Sequence, residues 1–195
     1  HEQWRRLQGT LERLRPPEGV VVHVLNSSAA LRLPEYAVAV VRPGIFLYGG
    51  EIGTGLVVPE PVVALRARVV HIKEAAPGDS VGYGATYHAQ GAERWATLSI
   101  GYGDGLSRAL GNRGHVLLRG VRAPIIGRIS MDVTVVNITG VPDVGRGDIA
   151  TLIGTDGDAR ITLDEVAGLA GTISYEVLTG LTPRIPRIWK GLDGS

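Results

Sequence analysis

The sequence predicts an α+β protein in which a remnant of the last βα units of a (β/α)8 barrel precedes a mainly antiparallel β-barrel-like domain. Two patterns favour this fold. Residues 19–41 follow a strand–helix–strand order with polar residues after each strand, as at the carboxyl ends of parallel barrel strands. From residue 62 onward, apolar segments alternate with turn residues about every ten positions, which is typical of an all-β module. We therefore expect one domain over residues 1–50 and a second over residues 51–195.

The first domain begins with a helix predicted over Glu2–Leu14, where apolar residues recur every three or four positions. The apolar run at 19–25 predicts a parallel strand buried on both faces. Caps at Asn26–Ser28 then favour a short helix over 29–33, and a second strand is predicted over 36–41. Because two strands cannot close a barrel, this part is not expected to be self-sufficient.

The second domain is predicted to consist mainly of strands, with two helices near its end. Thr162–Glu165 matches a capping box that opens a short helix, and another helix is expected near 174–181. The expected strands are 62–73, 81–88, 94–101, 114–119, 122–128, 132–138 and 147–153.

Composition limits the classes of function. The chain has 195 residues, is 44% hydrophobic and carries a net charge of +1, which argues against nucleic-acid or anionic-membrane partners. It contains no cysteine, which excludes disulfides and thiolate chemistry. The five histidines are scattered, so no metal site is expected.

No apolar run is long enough to span a bilayer and the polar start is unlike a signal peptide, so we expect a cytoplasmic protein. The first residue is His, and we expect a segment to precede it.

A glycine-flanked tyrosine in Ser99–Gly105 is the most unusual local feature. Glycines at 101, 103 and 105 permit a sharp turn and leave no Cβ to shield the phenol of Tyr102. A buried strand would continue with Val or Ile here, so the tyrosine is expected to be presented rather than packed. On these residues alone, the end of an ordinary hairpin is the more frequent interpretation of such a turn.

Six further motifs accompany Gly101-Tyr-Gly-Asp-Gly105 in a fixed order. They are His23-x-x-Asn26-Ser27, Val41-Arg-Pro-Gly-Ile45 with Leu47-Tyr48-Gly49, Gly127-Arg-Ile-Ser-Met-Asp132, Gly147-Asp148, Thr172-Ile-Ser-Tyr-Glu176 and Arg184-Ile-Pro-Arg187. Together the motifs resemble alanine racemase, a family of pyridoxal 5'-phosphate (PLP) enzymes of fold type III. The resemblance covers residues 3–189 and corresponds to the second half of a family member.

The resemblance implies a role for several residues. Tyr102 would be the base on one face of the substrate Cα. Met131 would bind the substrate carboxylate through its backbone, and Asp132 would shape the same loop. Arg42 would donate to the pyridine nitrogen of PLP. The phosphate would be held by Ser27, the backbone of Gly44 and Ile45, and Tyr175.

The chemistry of racemisation agrees with these roles, because a proton must leave one face of Cα and arrive on the other. A phenol with a pKa near 10 is a poor base at neutral pH unless cations stand nearby, and arginine supplies charge without being deprotonated. An arginine facing the pyridine nitrogen leaves it unprotonated and weakens PLP as an electron sink, which limits side reactions.

The main departure from the family is the lysine that holds PLP as a Schiff base. The family has it near the start of the barrel, whereas Lys73 and Lys190 of this chain match no such position. We therefore expect a fragment that is inactive alone and needs the N-terminal barrel half or a second subunit. A complete family member is a head-to-tail homodimer that supplies D-alanine for peptidoglycan. Smaller departures are Ser130, and Gly103 where the family commonly has Ala.

Plainer interpretations exist for most of these residues. Arg42 could be a strand-end ion-pair partner, Asn26–Ser27 a helix cap, and Met131 or Tyr175 part of the core. His23 is expected to be a hydrogen-bonded structural histidine. Other residues have structural alternatives too: Asp104 could support the site or cap a turn, and Arg184 and Arg187 could be structural or interfacial.

Three alternative functions stay open. One is a broader-specificity amino-acid racemase of the same fold type. A second is a decarboxylase of that fold, although such enzymes generally bring a cysteine from the partner subunit and this chain has none. The third is a non-catalytic β-domain interaction module left by truncation.

Overall fold

The computed structural model describes residues 1–191 and has the α+β architecture that the sequence predicts. Its contacts divide the chain into a first unit, His1–Glu60, and a second unit that begins at Pro61. We call these the βα unit and the β unit. No helix in residues 1–191 has the length and apolar character needed to cross a membrane.

The βα unit begins with helix α1, Glu2–Leu14, as the apolar spacing predicts. The helix ends at Arg15, which adopts the left-handed conformation with φ 42°. None of its residues is buried. Trp4 stacks on Tyr36 with ring centroids 5.1 Å apart. Leu7 and Leu11 are partly buried, and Leu14 at the end of the apolar stripe is exposed.

Strand β1 (His23–Asn26), helix α2 (Ser27–Arg32) and strand β2 (Val40–Arg42) confirm the predicted strand–helix–strand order. The two strands are parallel, and the register aligns Asn26 with Arg42. Asn26 caps α2, because its Oδ1 accepts the N–H of Ala29 at 3.0 Å. The polar residues at the carboxyl ends of both strands therefore lie side by side.

The strands of the βα unit are shorter and more exposed than the sequence predicts. Val20 and Val21 precede β1 and are 54% and 60% exposed. Tyr36 belongs to a 3-10 turn, Pro34–Tyr36, instead of the second strand. A parallel strand is buried on both faces only when neighbouring strands and helices cover it, and β1 and β2 pair only with each other.

The β unit contains a closed antiparallel barrel of six strands. Going round it in order, each strand pairs with the next, and the pair Thr151–Leu117 closes the ring between the first strand and the last. The strands in this order are β10 (Ile149–Asp156), β3 (Leu65–Ala75), β6 (Glu93–Leu98), β9 (Thr134–Asn137), β8 (Val121–Ile126) and β7 (His115–Leu118).

The long strand β3 shows how the barrel closes. Leu65, Ala67 and Val69 are buried at alternate positions, as expected for a strand with one face towards a core. Its register with β6 then shifts between Val69 and His71. Such a bulge bends a strand and increases its twist, so β3 can pair with β10 along its first half and with β6 along its second.

Two hairpins differ from the prediction. The predicted strand 81–88 is instead two short strands, β4 (Ser80–Val81) and β5 (Tyr87–His88), because Gly82 and Gly84 adopt positive φ and turn the chain between them. Strand β11 (Ala159–Ile161) is not among the predicted strands. It pairs with the end of β10 across a turn at Gly157 with φ 58°.

Helices α3 (Leu163–Ala170) and α4 (Ser174–Gly180) follow the barrel, close to their predicted positions. Thr162 caps α3, because its Oγ1 accepts the N–H of Glu165 at 3.0 Å. The predicted capping box is incomplete, since the Glu165 carboxylate pairs with Arg122 of β8 and not with the Thr162 backbone. This ion pair ties α3 to the barrel wall.

Glu93 at the start of β6 joins the β4–β5 hairpin to the barrel. Its carboxylate accepts hydrogen bonds from Trp95 Nε1 at 2.7 Å, Tyr87 Oη at 2.9 Å, Asn137 Nδ2 at 2.9 Å and the Gln90 N–H at 3.0 Å. Burial raises the pKa of Glu93, but hydrogen bonds, chiefly from Trp95, outweigh it and hold the pKa below its ordinary value of 4.5.

Replacing Glu93 with glutamine (Glu93→Gln) is expected to lower the free energy of unfolding at neutral pH by about 1–2 kcal/mol, because donors lose a charged acceptor. Since the folded pKa is depressed, the carboxylate stabilises the fold above its unfolded pKa and loses that effect as the pH falls through the folded pKa. As the pH falls below about 4.5, the free energy of unfolding should therefore decrease less in Glu93→Gln than in the parent.

The measurement is urea unfolding followed by Trp95 fluorescence, in a background in which Trp4 and Trp189 are replaced by phenylalanine. Glu74→Gln is the matched control, since Glu74 pairs with Arg94 on an exposed part of β3. Equal losses in the two variants would contradict the account of Glu93.

Candidate active site

Tyr102 lies in a tight turn that follows strand β6. The strand ends at Leu98, and residues Tyr102–Asp104 form a 3-10 turn. The tyrosine is 46% exposed. The buried hydroxyl of Thr134 on β9 donates to the Ile100 carbonyl at 2.7 Å and fixes the chain just before the turn. The phenol is therefore presented at the surface by a backbone that is anchored to the barrel.

The turn lies against the loop that carries Met131. The Tyr102 N–H donates to the Ser130 carbonyl at 3.0 Å, and the Gly103 N–H donates to the Met131 carbonyl at 2.9 Å. Within residues 1–191 the Met131 N–H donates to no acceptor, and the residue is exposed. The structure thus brings the predicted base and the predicted carboxylate-binding residue together. The alternative of Met131 as core filler is wrong.

The glycines around Tyr102 are required for a reason that the sequence did not indicate. A Cβ on Gly101 would lie 2.3 Å from the Ser130 oxygen and 2.4 Å from the Met131 oxygen. Gly105 has φ 100°, and a Cβ there would lie 2.1 Å from the Gly180 oxygen at the end of α4. The two glycines therefore admit close backbone neighbours on both sides of the turn.

Arg184 connects the turn to the Met131 loop. Its Nη2 lies 2.5 Å from Asp132 Oδ1, and its Nε lies 3.2 Å from Asp104 Oδ1. The hydrogen bond to Asp132, and next the charge of Asp104, raise the pKa of Arg184 above its ordinary value. Asp104 also caps the turn, since its Oδ2 accepts the Gly101 N–H at 2.9 Å. Asp132, predicted as a substrate-binding residue, is exposed in this network.

A cation also lies beside the phenol. The guanidinium carbon of Arg108 is 5.7 Å from the centroid of the Tyr102 ring. Arg108 opens a 3-10 turn, Arg108–Leu110, in which the Ala109 N–H donates to the Ser107 hydroxyl at 3.3 Å. Arg108 was not singled out in the sequence, because its closeness to Tyr102 depends on how the chain folds back after Gly105.

A cavity of about 410 Å³ lies within the β unit, between the barrel wall, α3, α4 and the Tyr102 turn. Tyr102, Arg108 and Glu165 are among its lining residues, with apolar walls that include Leu152 and Leu181. Met131 and Asp132 do not line it. The cavity therefore adjoins the predicted base, Tyr102, but includes neither of the predicted substrate-binding residues.

The predicted phosphate residues of the βα unit meet at the carboxyl ends of β1 and β2. Ser27 is buried, and its Oγ accepts the N–H of Gly44 at 2.7 Å. Ile45 begins a 3-10 turn, Ile45–Tyr48, where the first N–H groups have no acceptor inside the turn. A Cβ on Gly44 would meet nothing within 4 Å. This open space beside a hydroxyl and backbone amides fits a phosphate group.

Arg42 contacts His23 across the parallel strand pair. Arg42 Nη1 lies 2.9 Å from His23 Nδ1 and 3.3 Å from the His23 carbonyl oxygen. Because a guanidinium can only donate, Nδ1 must accept and the ring proton belongs on Nε2. His23 is hydrogen-bonded, as expected, and it holds the guanidinium in place. The pairing could have been inferred from two strands of known register.

Tyr175 is the second residue of α4 and is 47% exposed. The alternative that it is an amphipathic core residue is therefore wrong. It belongs to the β unit, whereas Ser27, Arg42, Gly44 and Ile45 belong to the βα unit. Its proposed phosphate contact stays a prediction.

Both lysines, Lys73 and Lys190, lie in the β unit. Lys73 on β3 lies 2.9 Å from Asp79, stands over the Trp95 ring and pairs with Trp95 near the start of β6, away from the strand end that leads to Tyr102. Lys190 is exposed. Within residues 1–191 no group of three or more His, Asp or Glu side chains could hold a metal ion.

Comparison with protein families gives two matches that together span most of the chain. Residues 1–52 match the alanine racemase N-terminal domain, and residues 62–189 match the alanine racemase C-terminal domain. The alanine racemase of Sorangium cellulosum is 42% identical over 193 residues, which are 95% of this chain and 51% of that protein.

Solved structures give the same result. The alanine racemase of Bacillus anthracis, with bound L-Ala-P, superposes with a TM-score of 0.84 at 37% identity and covers 96% of this chain and 49% of its own. The alanine racemase of Bartonella henselae, with covalently bound pyridoxal phosphate, has a TM-score of 0.82 at 33% identity, with 96% and 52% covered. The chain thus spans about half the length of these relatives.

Gly101→Ala is expected to separate the Tyr102 turn from the Met131 loop, because the added methyl would overlap two backbone oxygens. We expect the free energy of unfolding of the β unit to fall by about 1–3 kcal/mol. The control is Gly140→Ala, where a Cβ meets nothing within 4 Å. Urea unfolding monitored at Trp95 measures both variants. A loss no larger than in the control would show that the close approach is not needed.

Proposed function

The chain belongs to the alanine racemase family, and from this premise we propose that it forms part of an enzyme that interconverts L-alanine and D-alanine. The observation that carries the proposal is the hydrogen-bonded contact between the Tyr102 turn and the Met131 loop. It supports the proposal because the turn that carries the exposed Tyr102 side chain contacts the loop whose Met131 N–H donates to no acceptor in the described chain. Racemisation of an amino acid would use both groups, the phenol at the Cα hydrogen and the N–H at the carboxylate.

Tyr102 would move the proton on one face of Cα. The backbone of Tyr102 is held by hydrogen bonds and its side chain is partly open to solvent, so the phenol is available to a substrate. Arg108 places a positive charge beside the ring without itself losing a proton. Met131 would hold the substrate carboxylate through its N–H, which fixes the orientation of Cα towards the phenol.

PLP, when bound, would supply an electron sink for the charge left on Cα. Ser27 and the amides of Gly44 and Ile45 would bind its phosphate, with the Gly44 N–H exchanging its bond to Ser27 Oγ for one to the phosphate, and Tyr175 would add a hydroxyl. Arg42 would donate to the pyridine nitrogen and leave it without a proton, which weakens the sink and limits side reactions. The Arg42–His23 hydrogen bond supports this role because it fixes the guanidinium.

We further propose that the lysine for PLP comes from polypeptide outside this sequence. Lys73 is engaged with Asp79, and neither lysine matches the family position. The chain spans about half the length of its relatives. Apolar side chains of the βα unit are exposed, as expected if further barrel elements cover them: Leu14, Val20, Val21, Leu47, Val57 and Val58. We infer a completed enzyme that is a cytoplasmic homodimer supplying D-alanine for peptidoglycan.

The central experiment is co-expression of this chain with the N-terminal half of the Sorangium cellulosum relative, ending where the present chain begins to match. The purified complex should retain PLP and convert L-alanine to D-alanine, whereas either half alone should not. Tyr102→Phe should lower the rate by at least about 100-fold, because it removes the proton-transferring hydroxyl.

Tyr83→Phe is the matched control, since Tyr83 is an exposed tyrosine on the β4–β5 hairpin and should leave the rate unchanged. A PLP-loaded complex that converts other amino acids but not alanine would favour a broader-specificity racemase. A loaded complex that is inactive with every amino acid would favour a non-catalytic module, and an undiminished rate in Tyr102→Phe would remove Tyr102 from the mechanism.

A further inference from the structure

The chain after α4 returns to the Tyr102 turn and contacts it along its backbone. The Thr182 N–H donates to the Asp104 carbonyl at 3.1 Å, and the Thr182 hydroxyl donates to the Gly103 carbonyl at 3.0 Å. Arg184 then extends across the turn to the Met131 loop. Residues 182–184 therefore touch both segments that carry the proposed chemistry, and we call them the tail clamp.

We propose that Arg184 is a positioning residue that sets the placement of the Tyr102 phenol relative to the Met131 amide. The inference rests on the proposed function, because it assigns a purpose to the spacing of those two groups. Arg184 itself would touch neither substrate nor cofactor. It would act through Asp104 on the turn and Asp132 on the loop.

The charges explain why an arginine stands here. Asp104 and Asp132 belong to different segments and carry like charges, so without a cation between them the turn and the loop would repel each other. The Asp104 side chain is 12% exposed, which makes the loss of its partner costly. A guanidinium presents several donors in a rigid fork and can engage both carboxylates at once, whereas a lysine offers one compact charge.

Solvent exposure indicates that Arg184 acts mainly by positioning the turn and the loop, and contributes little to the stability of the fold. Arg184 and Asp132 are about half exposed, and exposed ion pairs contribute little to global stability. The same contacts can still fix two loops relative to each other, since backbone hydrogen bonds already bring them close. A displacement of about 1 Å between catalytic groups can lower a rate by about 100-fold.

Gly103 leaves the space that Arg184 uses. A Cβ on Gly103 would lie 2.2 Å from Arg184 Nη1, 3.0 Å from the Met131 oxygen and 3.1 Å from Met131 Cγ. Gly103 is not among the residues with positive φ, so alanine is compatible with its backbone. An alanine, which the family commonly has here, would make the flexible end of Arg184 shift, so the glycine lets the guanidinium lie directly against the turn.

The first test uses the 195-residue chain and does not depend on activity. Amide hydrogen exchange is measured by NMR for Tyr102 and Gly103, whose N–H groups donate to the Met131 loop. Arg184→Gln should raise exchange at these two amides by about tenfold relative to the parent, because opening of the turn becomes easier. Exchange in Arg184→Lys should fall between the parent and Arg184→Gln.

Arg146→Gln is the control, since Arg146 is an exposed arginine of the same unit whose side chain forms no ion pair or hydrogen bond within residues 1–191. It should leave the exchange of both amides unchanged. Exchange in Arg184→Gln equal to that in the control would overturn the proposal. A uniform rise across the barrel amides would also overturn it, because Arg184 would then be a general stabiliser.

The second test uses the complex with the Sorangium cellulosum N-terminal half. Arg184→Gln should lower kcat for alanine about tenfold with unchanged PLP content, and Arg184→Lys should recover part of the loss. Local exchange that rises while kcat stays constant would refute the positioning role. If the parent complex does not racemise alanine, the proposed function fails, and the exchange measurement alone still decides whether Arg184 holds the turn to the loop.

Discussion

The backbone of residues 101–103 lies against the backbone of residues 130–131, and the functional features of the β unit depend on that contact. Two N–H groups of the turn donate to the loop. A Cβ at Gly101 would overlap two carbonyl oxygens of the loop, so only glycine permits this close approach. The contact presents the Tyr102 phenol and leaves the Met131 amide available. The proposed proton-transferring group and the proposed substrate-orienting group therefore share one support.

The barrel provides this support because it is closed. Strand β6 leads into the turn, β9 follows the Met131 loop, and these two strands are direct neighbours in the sheet. Thr134 of β9 also holds the Ile100 carbonyl. Helix α4 packs its last residue against Gly105, and the chain that follows supplies Arg184. The turn is thus fixed from three directions by elements that are distant in sequence.

Local signals predicted much of this architecture, and the failures have physical causes. Helix α1 and most barrel strands were predictable from periodicity, and Asn26 and Thr162 are caps as their residue types suggest. The hairpin turn at Gly82 was missed because alternation alone does not reveal positive φ. Tyr102 was recognisable from its glycines. Arg108 and the bridging role of Arg184 were not, because their partners are defined by tertiary packing.

The central claim is that Tyr102 serves one face of Cα while a group from another polypeptide serves the opposite face. The most direct measurement is exchange of the α-hydrogen of each alanine enantiomer with D₂O by the co-expressed complex carrying Tyr102→Phe. The account predicts that exchange collapses for one enantiomer and persists for the other, because one of two proton-transferring groups is lost. Equal exchange of both enantiomers, or equal loss of both, would contradict it.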